Sequence, residues 1–164
     1  MAEKLNFNIN KDVNLFETTI RVLGGLLSTY HLTNDNMYLS KATDLADRLM
    51  GAFKTVSGIP YSDINLLDAR GHSPEWSGGH SFTSEVTTIQ LEFRDLSRCT
   101  NDEKYEKAVD DVSLKIHNLD RPDGLVIYFC YILVSSLQFN GSIIWYKVFL
   151  SLLCNWLLIF LNYP

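Results

Sequence analysis

Asn14-Leu15-Phe16-Glu17-Thr18-Thr19-Ile20-Arg21-Val22-Leu23-Gly24-Gly25-Leu26-Leu27-Ser28 is the stretch from which the rest of the chain is read. At helical spacing Phe16, Ile20, Leu23 and Leu27 fall on one face and make an apolar stripe. Glu17, Arg21, Gly24 and Ser28 form a second stripe beside it. Two adjacent glycines inside a helix cost about 1 kcal/mol each against alanine. A helix that accepts this cost implies a close approach along that face, by another backbone or by a ligand. The plainer account of Glu17 and Arg21 is a surface ion pair at i,i+4, worth about 0.2–0.5 kcal/mol.

The helix spans about 14–30, with Asn14 as its N-cap, behind a polar, Asn-rich segment 1–13. Thr33-Asn34-Asp35 opens a second helix over about 36–53, with Tyr38, Ala42, Leu45 and Leu49 at 3–4 spacing. Residues 54–82, rich in Gly and carrying Pro60 and Pro74, read as a long irregular connection, a feature that tends to be functional. A third helix over about 83–98 buries Val86, Ile89, Phe93 and Leu96; a fourth over about 103–118 buries Tyr105, Val109, Val112 and Ile116. The joints are alike. Thr33-Asn34-Asp35-Asn36-Met37-Tyr38 and Thr100-Asn101-Asp102-Glu103-Lys104-Tyr105 share T-N-D-x-x-Y. Two αα-hairpins at a fixed period mark a helical toroid or solenoid, against the alternative that T-N-D is simply a good helix start.

Composition divides the chain. All but one of its Asp, Glu, Lys and Arg residues lie in 1–126, which reads as an ordinary globular domain. Residues 127–164 carry only Lys147 and are otherwise mostly apolar. With a net charge of −5 and no basic patch, nothing indicates nucleic-acid binding. Cys99, Cys130 and Cys154 have no metal-knuckle or disulfide-framework spacing, and His31, His72, His80 and His117 have no ligand spacing. Each histidine reads as a surface or loop residue.

F-E-T-T-I-R-V-L-G-G-L-L-S resembles the opening signature of the class I α-1,2-mannosidases, glycoside hydrolase family 47. The resemblance continues through Ile59-Pro60-Tyr61-Ser62-Asp63-Ile64-Asn65 and Ser84-Glu85-Val86-Thr87-Thr88-Ile89-Gln90-Leu91-Glu92-Phe93, in order, from about Lys4 to Val126. The I-P-Y-S-D-x-N wording is closer to the endoplasmic reticulum branch than to the Golgi or degradation-enhancing ones. The fold class it implies is all-α: αα-hairpin repeats forming a slice of an (α/α)7 barrel, plus the hydrophobic tail. The function it implies is hydrolysis of α-1,2-linked mannose from high-mannose N-glycans of glycoproteins, with inversion and Ca²⁺, in the endoplasmic reticulum or secretory pathway.

Inverting glycosidases use one carboxylic acid to protonate the leaving oxygen and one carboxylate to activate water. By position Glu17 matches the family's proton donor, which generally acts through a water, and Arg21 matches an arginine that contacts the sugar. Glu85 matches a further acid lining the pocket. Without the resemblance, Glu85, Thr88 and Glu92 read as a solvated polar face. Asp63 and Asn65 read as organisers of their loop, and Asp68, Arg70, Glu75 and Trp76 as candidate glycan contacts. The family's general base, a second downstream acid and the threonine that helps to hold Ca²⁺ belong to later hairpins. The resemblance therefore implies a partial, inactive chain with no metal ligand of its own.

Two alternatives stay beside that reading: a non-catalytic glycan-binding module, and a membrane-tethered helical protein. Residues 143–161 are nearly long and apolar enough to span a bilayer. The tail's Phe, Ile, Leu, Asn and Tyr content also fits translation into an A/T-rich intron. Met1-Ala2-Glu3-Lys4-Leu5 lacks the apolar core of a signal peptide.

Overall fold

The computed structural model describes residues 5–119 and 129–131. The membrane candidate 143–161 and the rest of the tail lie outside these, apart from the backbone of Phe129–Tyr131. Among the described residues no helix is long and apolar enough to cross a membrane.

A short strand, β1 (Asp12–Asn14), runs directly into helix α1 (Leu15–Thr18). Asn14 keeps an extended backbone while its side-chain oxygen accepts from the Glu17 N–H at 2.9 Å, the cap the sequence predicts. The helix then widens into one π-turn, Thr19–Leu23, closed by the Gly24 N–H on the Thr19 carbonyl, and continues as α2 (Gly24–Thr33). A π-turn takes in one extra residue and so rotates the faces on its two sides. Up to its first residue Leu15 and Thr19 are buried, while Phe16 and Ile20 are only half-buried; from its last residue on Leu23 and Leu27 are buried as expected, joined by Leu26.

Helix α3 (Asn36–Leu49) ends in a 3₁₀ turn, Met50–Phe53, and buries Ala42, Leu45 and Leu49. The third expected helix is broken into α4 (Thr83–Val86) and α5 (Gln90–Thr100). Thr87 and Thr88 stand at the break. Their hydroxyls donate to the Thr83 and Ser84 carbonyls at 2.7 and 2.8 Å, a side-chain bond that bends helices. Thr87 and Ile89 have ψ of −3° and −2°, against about −42° in a regular helix. Helix α6 (Lys104–His117) buries Tyr105, Val109, Val112 and Ile116, the four residues its spacing indicates.

The helices pair as two hairpins, α2 with α3 and α5 with α6, and α5 packs on both α2 and α3. Phe93 sits where they meet, fully buried, its ring 5.5 Å from that of Phe53 and 6.4 Å from that of Tyr105. The two T-N-D joints have one geometry. Asn34 and Asn101 are both left-handed, at φ 54° and 56°, and end α2 and α5. Asp35 and Asp102 then accept from the Met37 and Lys104 N–H groups at 2.9 and 3.1 Å. The repeat read from six residues is thus a structural repeat.

The connection 54–82 is more ordered than its composition suggests. It holds β2 (Asp63–Asn65), β3 (Gly71–His72), a 3₁₀ turn at Glu75–Ser77 and β4 (His80–Phe82). Strands β1, β2 and β3 form an antiparallel sheet with Val13 opposite Ile64 and Ile64 opposite Gly71, while β4 pairs antiparallel with β5 (Phe129–Tyr131). Strands of two or three residues are too short for an alternating pattern to show.

Candidate active site

The small sheet positions the first helix. The Leu15 N–H donates to the Ser62 carbonyl at 2.8 Å, and Asn14 Nδ2 donates to Asp63 Oδ1 at 3.4 Å. Asn65 Nδ2 donates to Asn10 Oδ1 at 2.9 Å and Asp12 Oδ1 at 2.8 Å, binding β2 to the segment before the helix. Behind them the buried Ser81 hydroxyl donates to the Pro60 carbonyl at 2.7 Å and accepts from Ser62 Oγ at 3.2 Å. Burial raises the Asp63 carboxyl above its ordinary pKa, opposed by the Asn14 hydrogen bond and the His72 charge. These contacts support Asp63 and Asn65 as organisers of the loop.

Glu17 and Arg21 flank the first half of the π-turn and face away from the core. Arg21 Nη1 lies 3.5 Å from Glu17 Oε2, with the side chains 70% and 55% exposed. An exposed pair of this kind adds little to stability, so both groups are free to engage something else. Glu85 sits in α4, half-buried, just ahead of the helix α5 that packs against the π-turn. Glu17 and Arg21 are therefore brought together, and Glu85 is carried on the neighbouring helical segment.

The polar face expected from Glu85, Thr88 and Glu92 is not a solvated one. Glu85 and Thr88 are half-buried, and Glu92 is 4% exposed. Gly24 lies beside this carboxylate. A Cβ on Gly24 would lie 3.5 Å from Glu92 Cγ and 3.7 Å from Oε1, ordinary packing distances, so Glu92 packs against this backbone without requiring a glycine there. A Cβ on Gly25 would meet nothing within 4 Å, so neither glycine is required by a close approach, against the expectation from the sequence. Burial raises the Glu92 carboxyl above its ordinary pKa. Its Oε2 and the nearby Thr19 hydroxyl have no hydrogen-bond partner among the described residues. The sequence places Glu92 on a polar face, and no local pattern marks its burial.

A cavity of about 390 Å³ opens among Tyr61, Arg70, His72, Ser73, Pro74 and Glu75. Arg70 and Glu75 thus share a concave surface, while the exposed Asp68 side chain accepts from the Arg70 N–H at 3.0 Å. Trp76 is 73% exposed yet has its ring 5.8 Å from that of Phe82. It presents one face to solvent and rests the other on its own domain.

Calcium requires six to eight oxygen ligands. Among the described residues the one grouping of three potential side-chain ligands is His31, Asp95 and Cys99, which offers nitrogen, oxygen and sulfur. These residues do not fit calcium, and no chemical step is assigned to that ion here.

The sequence model of Glycosyl hydrolase family 47 matches residues 1–146, extending past Val126, where the resemblance is read to end. The endoplasmic reticulum mannosyl-oligosaccharide 1,2-alpha-mannosidase of Rattus norvegicus is 55% identical over 130 residues, covering 79% of this chain and 20% of the relative. Its Homo sapiens counterpart is 53% identical over 130 residues, covering 79% and 18%. The solved structure of alpha-1,2-mannosidase from Trichoderma reesei superposes with a TM-score of 0.70 at 27% identity, over 86% of this chain and 32% of that one. The chain spans about a fifth of the length of these curated relatives. With the motifs, the two hairpins and the family match in agreement, the chain belongs to glycosyl hydrolase family 47.

Proposed function

We propose that this chain is the Glu17-bearing part of an α-1,2-mannosidase that trims mannose from high-mannose N-glycans with inversion, in the endoplasmic reticulum or secretory pathway. Its two hairpins are then consecutive units of an (α/α)7 barrel. The observation that carries the reading is the exposed Glu17–Arg21 pair bridging the start of a π-turn, in a helix entry tied down by the β1–β2 contacts. π-Turns interrupt helices frequently at functional sites. In the assembled barrel Glu17 gives a proton to the leaving glycosidic oxygen, through a water. Arg21 donates hydrogen bonds to the sugar, and Glu85 lines the same pocket. Inversion requires a second carboxylate about 6.5–9.5 Å from the acid, with water between; that base belongs to later hairpins. Arg70, Glu75 and Trp76 at the cavity of the 60–80 loop are the groups assigned to outer sugars of the glycan.

The test is a paired assay for mannose release from a mannose-rich N-glycan, using this chain and a version extended with the family's later hairpins. The extended protein should release mannose, and Glu17→Gln should lower its rate by about 10²–10⁴, the usual weight of general acid catalysis, with glycan binding retained. This chain alone should release none. Release by the extended protein that survives Glu17→Gln overturns the assignment of the acid. Release by the 164-residue chain overturns the need for a second carboxylate from later hairpins.

A further inference from the structure

At the far ends of α2 and α5, away from Glu17, three side chains converge that the mannosidase reading leaves unused. His31 Nε2 lies 2.8 Å from Asp95 Oδ2, and Cys99 Sγ lies 3.8 Å from His31 Nε2 and 4.0 Å from Asp95 Oδ1. One ligand atom from each can be chosen so that all lie within 4.8 Å of one another. We propose that His31, Asp95 and Cys99 form a zinc site that ties the first hairpin to the second.

The donor set selects the ion. Imidazole nitrogen, carboxylate oxygen and thiolate sulfur together suit zinc and fit neither calcium nor magnesium, which demand oxygen alone. The spacing agrees. Zinc bonds of about 2.0–2.2 Å to nitrogen and oxygen and about 2.3 Å to sulfur, at tetrahedral angles, keep ligand atoms about 3.3–3.6 Å apart. The two contacts of Cys99 lie within about half an ångström above that separation, and the 2.8 Å contact of His31 with Asp95 about half an ångström below it. An entering ion therefore replaces that hydrogen bond with small shifts of the side chains. Asp95 and Cys99 are i,i+4 on α5 and share its face, so one helix supplies two ligands and α2 the third. His31 and Cys99 both fall in the last turn of their helices, where the carbonyl ends of the backbone dipoles favour a cation. His31 is exposed and Asp95 and Cys99 are half-buried, so an ion can enter and keep water as its fourth ligand. Binding displaces the thiol proton to solvent, and the bound ion stabilises the packed pair of helices over the unfolded chain.

The experiment titrates the full chain carrying Cys130→Ser and Cys154→Ser, which leaves Cys99 as its sole thiol. Cobalt is the optical probe and zinc the competitor. One equivalent of cobalt should give a thiolate charge-transfer band and tetrahedral visible bands, which zinc abolishes and excess calcium does not. Cys99→Ser should remove the charge-transfer band, with helical circular dichroism unchanged. His31→Ala and Asp95→Asn should each weaken zinc binding by about tenfold or more, since even outer-shell changes at zinc sites cost that much. Both remove only a surface ion pair, which is worth little to the fold. No band at one equivalent overturns the proposal, and so does a band unaffected by Cys99→Ser. A band that survives both His31→Ala and Asp95→Asn at full affinity means the thiol binds alone, which overturns it as well.

Discussion

Glu92 is the residue on which burial acts most visibly. Well below pH 4.5, its ordinary value, the carboxyl is protonated in both folded and unfolded chains and its titration does not affect stability. Above that, the unfolded chain releases the proton while the folded one still holds it, because burial raises the folded pKa. Stability therefore falls as pH rises, until the raised value is passed. Glu92→Gln removes this dependence. The melting temperature of the variant relative to the parent should rise as pH is raised above 4.5; parallel melting curves would falsify the buried, titrating acid. At this scale the sequence was legible for side chains that meet local partners. Asn14 as a cap and the pairing of Glu17 with Arg21 both follow from spacing within one turn. Glu92 was not legible, because its environment is supplied by Gly24 on a different helix, 68 positions earlier.

At the scale of elements, the twin T-N-D joints are the sharpest feature to test. Asn34 and Asn101 occupy the left-handed region, which costs a residue with a Cβ about 1–2 kcal/mol unless its side chain helps. Alanine at either position should lower stability by about 1 kcal/mol, whereas glycine, with free access to that region, should match or exceed asparagine. Urea denaturation would show this as opposite shifts of the midpoint at constant slope; equal losses for Ala and Gly would place the effect in side-chain contacts instead. The four helices were legible as elements because each repeats an apolar residue every three or four positions. The π-turn and the break at Thr87–Ile89 were not. The π-turn brings Leu15, Thr19 and Leu23 together on the core, and the break lies where ψ of Thr87 and Ile89 is near zero; local periodicity encodes neither.

For the molecule as a whole, Phe93 is the shared centre of both hairpins. Phe93→Ala should cost about 3–5 kcal/mol, a large part of the about 5–15 kcal/mol that holds an ordinary domain. Because its neighbours Phe53 and Tyr105 come from different hairpins, the loss should melt both at once. Hydrogen exchange should show protection falling together in α3 and α6; loss confined to α6 would mean that the hairpins are independent units. By itself the sequence determined the helical class, the two joints, the apolar faces of the helices after the first and the membership of family 47, because each is written in spacings of a few residues or in motifs of a dozen. The tertiary structure alone decided the sheet that fixes the start of the first helix and the burial of Glu92 against Gly24. It also decided the meeting of His31 with Asp95 and Cys99. Those are contacts between residues far apart in the chain, and local periodicity carries no information about which surfaces the packed helices bring together.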